Sequence, residues 1–364
     1  MLTALIVILG SLVAVVTVLP LSRSHRWWIR GWDFPRVQIA VVGAVVLLLS
    51  AWVGGLFGLA MVIAMLVCTL YQLYRIVPMM PFFPEDIAIG EPRNGDLSLF
   101  ALNVEMENDK AEDVLATIRE QSPDVLFLME INQDWLDVLE PILKDYQTVL
   151  REPKDNYYGL VFATRLKVHE CTVEYLTRDN TPSVFARIED HEGRQFHFVG
   201  LHPRPPVPGD DTAERDLQTL YAARFARKMD LPTIVMGDFN DAAWSHTARM
   251  FKHVGEYLDV RAGRGMYASF HARYWWFRCP IDQMFITEGI VISFFGMGRY
   301  VGSDHFPVMV RIRLDQDEAA RLARRRPLLI DAQRKELDAE VAEFRQELME
   351  IHGGDAKAEE AGRL

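Results

Sequence analysis

The sequence GDFN at Gly237 to Asn240 contains the residues whose types and spacing most clearly suit chemistry. It follows the strand-forming residues 233–236, so a predicted buried strand ends in a carboxylate, Asp238, and an amide, Asn240. Side chains two residues apart in an extended chain point to the same side, which brings these two groups together. Such pairs bind hard metals and phosphates, although an isolated Asp-x-Asn also forms ordinary polar turns.

Similar polar groups stand at the ends of other apolar runs. Asn103 lies late in residues 98–104, and Glu130 ends residues 124–130. The others are His202 at the end of residues 196–202, Asp282 near the start of residues 281–286, and Asp304 and His305 just ahead of residues 306–312. Each group alone is a weak indication, and the information lies in their order along the chain.

In this order and at these spacings, the motifs resemble the endonuclease/exonuclease/phosphatase superfamily. That group contains DNase I-like nucleases, abasic-site endonucleases, neutral sphingomyelinases and inositol polyphosphate phosphatases. The resemblance covers residues 96–313, and its most specific pieces are GDFN at Gly237 to Asn240 and SDHFP at Ser303 to Pro307. It implies an α/β fold, a four-layer α/β/β/α sandwich in which two mostly antiparallel sheets pack face to face and the active site lies where strand ends converge.

The resemblance also implies a metal site. A phosphodiester repels nucleophiles, so its hydrolysis needs a hard cation, an activated water and protonation of the departing oxygen. Carboxylate and amide oxygens suit Mg²⁺ or Mn²⁺. By resemblance, Glu130 is the principal metal ligand, and Asn103 and Asp304 complete or extend the ligand set.

The catalytic roles follow from the same resemblance. Asp238 would orient or deprotonate the attacking water, and Asn240 would hold a phosphoryl oxygen. His305 would sit against the phosphate with its ring oriented by Asp282. His202 would protonate the leaving group, but the prolines that follow it also fit a rigid turn with a structural histidine.

Several residues near these motifs have more than one interpretation. Glu105 is either an extra metal ligand or a solvent-facing loop residue. Arg204 either clamps a phosphate or caps a carbonyl, and Tyr158 lies in a loop, 156–159, that would contact the leaving group. The aromatic run 274–277, YWWF, has three interpretations. It is part of the core, it stacks on a base or sugar, or it dips into a membrane interface.

Composition bears on the substrate. Lys and Arg number 39 against 50 Asp and Glu, for a net charge of −11, whereas nucleic-acid binders generally present a basic surface. This argues against tight nonspecific DNA binding more than against cleavage. We expect a phosphodiesterase or nuclease with nucleic acid or nucleotide substrates. A lipid-headgroup phosphodiesterase, a phosphatase and a catalytically idle membrane adaptor are the alternatives.

The N-terminal residues 1–76 read as a transmembrane region. Apolar stretches near 2–19, 38–53 and 56–75 approach the roughly 20 residues that span a bilayer, and the last two form a hairpin about Gly54 and Gly55. The first stretch lacks the basic flank and cleavage site of a signal peptide. Interfacial tryptophans stand between the first two spans, at positions 27, 28 and 32.

Charge predicts the orientation of these spans. Four arginines, at positions 23, 26, 30 and 36, lie between the first two spans, and the glycine turn holds no Lys or Arg. The basic loop should be cytoplasmic, which puts the catalytic domain on the cytoplasmic side of the inner (plasma) membrane. If the later stretches formed one span, the domain would face the other side. The three cysteines are too few for a disulfide framework and permit the cytoplasm.

Two segments flank the predicted domain. Residues 77–95 contain four prolines and read as an extended linker that lifts the domain off the bilayer. Residues 314–364 form a charged tail whose apolar residues recur at helical spacing. We expect an amphipathic helix that packs on the domain or offers a partner surface, with a coiled-coil dimer as the alternative.

Overall fold

The computed structural model of the protein describes residues 1–22, 24–177, 181–209 and 211–324, together with residues 335 and 339. Most of the predicted tail 314–364, including the residues of its helical pattern, lies outside these described residues. Arg23 of the basic loop lies outside them as well.

The described residues of the N-terminal region contain four α-helices. They are α1 (Leu2–Val18), α2 (Trp27–Arg30), α3 (Arg36–Val53) and α4 (Gly55–Ile76). Within the described residues, three helical stretches are long and apolar enough to cross a membrane: Leu2–Ser22, Arg36–Val53 and Gly55–Met79. Gly54 and Gly55 both have positive φ angles, which permits the tight turn between α3 and α4. The three predicted apolar helices and the hairpin are therefore present.

A buried polar cluster joins the three long helices at one end. Gln72 of α4 donates from Nε2 to Thr17 Oγ1 of α1 (2.9 Å), and Arg36 of α3 donates from Nη1 to Gln72 Oε1 (2.8 Å). Arg36 also pairs with Asp33 in the loop that precedes α3, at 2.5 Å. Because buried polar groups need partners, this cluster fixes how the helices meet at the end that carries the basic loop.

Two six-stranded sheets follow. The first has the strand order β11-β12-β1-β2-β4-β3, and the second has the order β5-β6-β7-β8-β10-β9. The strands of the first sheet are β1 (Leu97–Asn103), β2 (Val125–Met129), β3 (Thr148–Glu152), β4 (Leu160–Thr164), β11 (Ile290–Met297) and β12 (Val308–Leu314). Those of the second are β5 (Lys167–Tyr175), β6 (Pro182–Glu189), β7 (Gln195–Leu201), β8 (Thr233–Asp238), β9 (Leu258–Asp259) and β10 (Asp282–Ile286).

Helices cover the outer face of each sheet. The apolar residues of α5 (Ala111–Gln121) and α6 (Gln133–Leu143) pack on the first sheet, and those of α7 (Ala213–Lys228) and α8 (His246–Val254) pack on the second. A short helix, α9 (Gln316–Leu322), follows β12. The inner faces meet in one apolar core, where the rings of Phe127 and Phe162 lie 5.9 and 5.1 Å from that of Phe198. This is the predicted four-layer α/β/β/α sandwich of the DNase I-like type.

Two pairs of parallel strands determine where the polar strand ends of the site lie. β1 pairs with β2, and β7 pairs with β8, in parallel, whereas the other neighbours are antiparallel. Gly237 of β8 has a φ of +145°, and a Cβ there would clash with the carbonyl oxygen of Leu201 in β7. The glycine before Asp238 is therefore required by the close approach of the neighbouring strand.

The segment predicted to be an extended linker is bound along the domain instead. The carbonyls of Pro78 and Met79 accept hydrogen bonds from Gly263 N (3.0 Å) and Gly265 N (2.7 Å). Further along, Asp86 pairs with Lys252 and accepts from Asp259 N. These contacts hold the segment against the edge of the second sheet, so it does not lift the domain away from the helices.

The basic loop between α1 and α3 also contacts the domain directly. Trp244 Nε1 donates to the carbonyl of Asp33 (2.6 Å), and Thr212 N donates to the carbonyl of His25 (2.8 Å). His25 Nδ1 lies 3.0 Å from Asp216 Oδ2 in α7. The loop and the domain therefore lie at the same end of the long helices.

Candidate active site

Four strand ends bring their polar residues together. Asn103 ends β1, Glu130 follows β2, His202 follows β7 and Asp238 ends β8. Two further residues complete the group: Asp282, which lies opposite Asp238 in the pairing of β8 with β10, and His305, which precedes β12. The sequence predicted each of these six residues as part of one site, and the fold places them side by side.

Asn103 links the two carboxylates of the site. Its Nδ2 donates to Glu130 Oε1 (2.8 Å) and to Asp238 Oδ2 (3.2 Å). Its Oδ1 accepts from the backbone N of Glu105 (3.0 Å). The amide therefore presents its nitrogen to the carboxylates, whereas a metal ligand would present its oxygen. In this arrangement the amide nitrogen of Asn103 holds the two carboxylates, and a role for Asn103 as a metal ligand stays a prediction.

Glu130 stands in a turn directly after β2, with a φ of +62°. Its Oε2 accepts from the backbone N of Met106 (3.1 Å). Burial raises the pKa of its carboxyl, while the hydrogen bonds from Asn103 and Met106 act in the opposite direction. Among the described residues, no Lys or Arg forms an ion pair with Glu130, so its charge is offset only by neutral donors and nearby histidine.

The donor set fits a hard cation. Asp304 lies close enough to Glu130 that its charge raises the pKa of the Glu130 carboxyl. The nearest cationic group is the His305 ring, whose Nε2 lies 3.9 Å from Asp304 Oδ1. Within the described residues, no Lys or Arg pairs with either carboxylate, so a hard cation would offset the charge that the two carry together. A second group, Asp238, Asp282 and His305, has ligand atoms that all lie within 4.8 Å of one another. Because His305 and Asp282 already bond each other there, the carboxylates of Glu130 and Asp304 are better suited to hold a metal.

His305 and Asp282 form a buried hydrogen-bonded pair. His305 Nδ1 lies 2.7 Å from Asp282 Oδ2, and the other ring nitrogen, Nε2, lies 3.5 Å from Asp238 Oδ2. Burial by itself would lower the pKa of His305, but the carboxylates of Asp282 and Asp238 raise it to about 10. The ring is therefore positively charged at neutral pH, because its two acidic neighbours favour the protonated form.

Asp238 is the centre of the cluster. Its side chain is 1% exposed, and its Oδ1 accepts from the backbone N of Asn240 (2.8 Å). Burial raises the pKa of its carboxyl to about 7, against the opposing effect of charged His305. A carboxylate with a pKa near 7 can take up a proton at neutral pH, which suits a general base.

His202, predicted to protonate the leaving group, lies beside Asp238 in a fully buried position. Its Nε2 lies 3.8 Å from Asp238 Oδ2, and within the described part of the chain its Nδ1 has no hydrogen-bond partner. Burial, together with the charge of His305, lowers the pKa of His202 to about 3. The ring is therefore neutral at pH 7, so it is a hydrogen-bond donor and not a strong proton donor.

Asn240 lies in the loop after β8 and bonds this loop to the segment that follows β7. Its φ is +48°, and its Nδ2 donates to the carbonyl of Pro203 (3.0 Å), which leaves the second amide hydrogen for another acceptor. Arg215 of α7 supports this loop from behind, because its Nη1 donates to the carbonyl of Asn240 (3.0 Å). No pattern in the sequence indicated Arg215, which is buried beside Asp216.

Arg204 and Tyr158 lie together at the side of His202. The guanidinium of Arg204 is 5.3 Å from the centroid of the Tyr158 ring, and that ring is 5.7 Å from the imidazole of His202. The two residues predicted to contact substrate thus lie against each other on one side of the cluster.

Glu105 is not the solvent-facing loop residue of one interpretation, because its side chain is only 17% exposed and is paired. Arg273 grips its carboxylate with both terminal nitrogens, with Nη1 donating to Oε1 at 2.9 Å. Glu105 Oε2 also accepts from the backbone N of Asp304 (3.1 Å). Glu105 therefore fixes the position of Asp304. Arg273 stands 168 residues further along the chain, and no local signal could have linked the two.

The aromatic run 274–277 is not core. Trp275 is 80% exposed and Trp276 is 59% exposed. Yet the same loop contacts the site, because the ring of Phe270 lies 5.1 Å from that of His305 and Ala272 N donates to the carbonyl of Asp304 (2.6 Å). Core packing was one of the three interpretations of this run, and the exposure of the tryptophans excludes it.

Comparison with known proteins agrees with this fold. The sequence profile of the Endonuclease/Exonuclease/phosphatase family matches residues 100–305. The crystal structure of D. rerio TDP2 complexed with single strand DNA product is similar, with 17% sequence identity, a TM-score of 0.51, and coverage of 60% of this chain and 100% of that one. An endonuclease/exonuclease/phosphatase from Bacteroides vulgatus has 17% identity, a TM-score of 0.50, and coverage of 61% and 100%. No curated protein matches the sequence.

Proposed function

Because the chain belongs to the Endonuclease/Exonuclease/phosphatase family, we propose that it is a membrane-anchored, metal-dependent phosphoester hydrolase. One observation carries the proposal. A single buried carboxylate oxygen, Asp238 Oδ2, lies within 3.8 Å of Nε2 of both His202 and His305, and Asn103 joins it to Glu130. A base, a charged hydrogen-bond donor and a candidate metal ligand are thereby adjacent.

Glu130 and Asp304 would hold Mg²⁺ or Mn²⁺. When bound, such a cation polarises a phosphoryl oxygen and offsets the charge that develops there. Asn103 keeps the Glu130 carboxylate in place through the hydrogen bond from its Nδ2, and Glu105 keeps Asp304 in place through the backbone. These two supports act on the ligands and not on the substrate.

Asp238 takes the proton from the attacking water. Its pKa of about 7 keeps a useful fraction of the carboxylate ionised at neutral pH and makes proton uptake favourable. Charged His305 donates a hydrogen bond from Nε2 to the phosphate, and Asp282 holds the ring in that orientation. Neutral His202 and the second amide hydrogen of Asn240 supply further donors to phosphoryl oxygens.

The three long apolar helices anchor the enzyme. We place them across the inner (plasma) membrane, with the basic loop and the domain on the cytoplasmic side. The geometry of the site supports phosphoester hydrolysis as the class of reaction. Nucleic acid or nucleotide phosphodiesters stay the prediction from family resemblance alone, with a lipid headgroup as the alternative.

The test uses the full chain purified in detergent, with Mg²⁺ and bis(p-nitrophenyl) phosphate as the phosphodiester and p-nitrophenyl phosphate as the monoester. Asp238→Asn and His305→Ala should each lower turnover by roughly 10² to 10⁴-fold. Glu192→Gln, which removes an exposed carboxylate by the same kind of substitution, is the matched control and should keep the wild-type rate.

The outcomes separate the alternatives. Faster release from the monoester would identify a phosphatase, and faster release from the diester would identify a phosphodiesterase. If the folded wild-type protein released no nitrophenol from either compound with Mg²⁺ or Mn²⁺, the hydrolase proposal would fail, and a catalytically idle membrane adaptor would take its place.

A further inference from the structure

The loops that follow the strand ends of the candidate site contact the helix region. Trp244, in the loop that continues from Asp238, donates to the Asp33 carbonyl between α1 and α3. Arg75 at the end of α4 donates from Nε to the carbonyl of the same Trp244 (3.1 Å). Thr212, in the segment that follows His202, bonds the carbonyl of His25. Both catalytic loops of the second sheet thus touch the helix region at its domain end.

The loop 270–277 makes the same connection from the other side of the site. At its start it contacts His305 and Asp304 through Phe270 and Ala272. Near its end, the carbonyl of Trp276 accepts from Gln38 Nε2 at 2.7 Å. Gln38 belongs to the first turn of α3, where the predicted span begins. The loop therefore contacts the site at one end and, at the other end, the residue of α3 where that helix would enter a membrane.

The tip of this loop is an exposed aromatic surface at that level. Tyr274, Trp275 and Trp276 are all exposed, and Trp275 is exposed by four fifths of its surface. Tyr74, in the last turns of α4, and Phe82 just beyond that helix are also exposed. Tyrosine and tryptophan side chains at the ends of membrane spans lie in the headgroup layer. The contact between Gln38 and Trp276 places the aromatic tip beside the start of the α3 span, at the level where a bilayer surface would cover it.

From these contacts we propose that the active site opens onto the headgroup layer and hydrolyses a phosphoester carried by a membrane amphiphile of the phospholipid type. The inference rests on the proposed hydrolase function and on the anchoring of the three helices. The aromatic tip, residues 274–277, would lie among the headgroups and hold the site at the depth of their phosphates. A net charge of −11 disfavours the competing polyanion, a nucleic acid strand.

The reaction is a simple displacement by water. The water oxygen bonds to phosphorus as one ester phosphorus–oxygen bond breaks, and Asp238 accepts a proton from the water. The leaving oxygen departs with the bonding electron pair and is protonated by solvent. The products are a phosphate with one ester fewer and a free alcohol, and no oxidant or further reactant is needed.

The experiment uses the full chain in nanodiscs of phosphatidylethanolamine and phosphatidylglycerol with Mg²⁺. Two substrates share one leaving group: a diacylglycerol ester of p-nitrophenyl phosphate in the disc, and bis(p-nitrophenyl) phosphate in solution. The variant Trp275→Ser with Trp276→Ser should lower the ratio of the lipid rate to the soluble rate by about tenfold or more, because it removes the apolar surface that seats the loop. Phe294→Ser, which changes an exposed aromatic residue on β11, is the matched control and should keep the ratio.

A ratio that stays the same in the double variant would overturn the proposal. So would a higher kcat/KM of the wild-type protein for single-stranded DNA than for the lipid ester. Hydrolysis of the soluble diester with no hydrolysis of the lipid ester would overturn it too, while leaving the proposed hydrolase function standing. Loss of hydrolysis on every substrate would instead count against the hydrolase function.

A second measurement does not depend on activity. In nanodiscs made with brominated lipids, tryptophans in the headgroup layer lose fluorescence. Trp275→Phe with Trp276→Phe should remove part of the quenching that the wild-type protein shows in the same discs. Equal fractional quenching in both proteins would overturn the placement of the loop in the bilayer surface.

Discussion

His305 Nδ1 and Asp282 Oδ2 lie 2.7 Å apart in a pair that is almost fully buried. Burial would lower the pKa of the imidazole, but the Asp282 carboxylate, with that of Asp238, raises it to about 10. The ring is protonated at and well above neutral pH. It therefore meets a phosphate as a cation with one free hydrogen on Nε2, and the water must lose its proton to another group.

The first prediction concerns the alkaline side of the pH profile. His305 is charged below its pKa of about 10, so activity should persist through pH 9 and fall as the ring loses its proton. Asp282→Asn removes the carboxylate that raises this pKa, so the fall should move to lower pH. Turnover at pH 7 should drop by roughly 10² to 10⁴-fold. Rates between pH 6 and pH 11 measure both effects. An alkaline limb at the same pH in the variant would show that the charge on His305 is not what the reaction needs.

The convergence of the site could be predicted from sequence for a physical reason. Asn103, Glu130 and Asp238 each end an apolar run. Parallel pairing places Asn103 beside the end of β2 in the first sheet and Asp238 beside the end of β7 in the second. The packing of the two sheets then brings these ends together, as the hydrogen bond between Asn103 and Asp238 shows. A run of apolar residues shows where a strand ends, and the polar residue that follows cannot be buried in the core without a partner. The pattern therefore identified both the strand ends and the residues that meet there.

What the sequence could not predict depends on side-chain orientation and on distant partners. The amide of Asn103 turns its nitrogen toward the carboxylates because its oxygen accepts from the backbone of Glu105. His202 is neutral because it is buried beside the charge of His305, over a hundred positions away. Likewise, residues 77–95 look like a linker by composition, but Asp86 finds Lys252 and Asp259 only in the folded chain.

The second prediction is metal dependence. EDTA should abolish hydrolysis, and Mg²⁺ or Mn²⁺ should restore it, because the buried carboxylate of Glu130 has no Lys or Arg partner among the described residues and is free to bind a cation. Glu130→Gln should raise the Mg²⁺ concentration needed for half-maximal rate by at least about tenfold, the scale seen when groups that support a metal site are altered. Titration of the rate with MgCl₂ measures this. Full activity in chelator would contradict the prediction.

A third prediction distinguishes Glu105 from the metal ligands. Glu105 is paired with Arg273 and supports the backbone of Asp304, so Glu105→Gln should lower turnover by loosening that segment. The Mg²⁺ concentration for half-maximal rate should stay within about twofold of wild type, in contrast to Glu130→Gln. The loss of stability should be about 1 kcal/mol or less, because Arg273 is partly solvent-exposed. A shift of the Mg²⁺ response as large as that of Glu130→Gln would make Glu105 a ligand.

A fourth prediction concerns Gly237. Alanine there would need a φ of +145° and would place its Cβ against the Leu201 carbonyl oxygen, so Gly237→Ala should destabilise the protein by roughly 2–5 kcal/mol. Gly193→Ala is the matched control. Gly193 also has a positive φ, +82°, but its Cβ would meet nothing within 4 Å, so only backbone strain of about 1 kcal/mol should appear. Thermal unfolding of both variants in detergent measures the difference. Equal losses would mean that contact with β7 does not require the glycine.

The last prediction is topological. The basic loop is bound to the domain through Asp33 and Trp244, so the loop and the domain must lie on one side of any membrane that the three helices cross. Arginines favour the cytoplasmic side, and that side should therefore hold the domain. A fluorescent protein fused after Leu364 should fluoresce, and alkaline phosphatase fused there should stay inactive, because its disulfides form only in an oxidising compartment. Fusions ahead of Met1 should give the reverse pattern, since an odd number of spans separates the two ends. Active phosphatase after Leu364 would place the hydrolase outside and move its substrates to the outer leaflet.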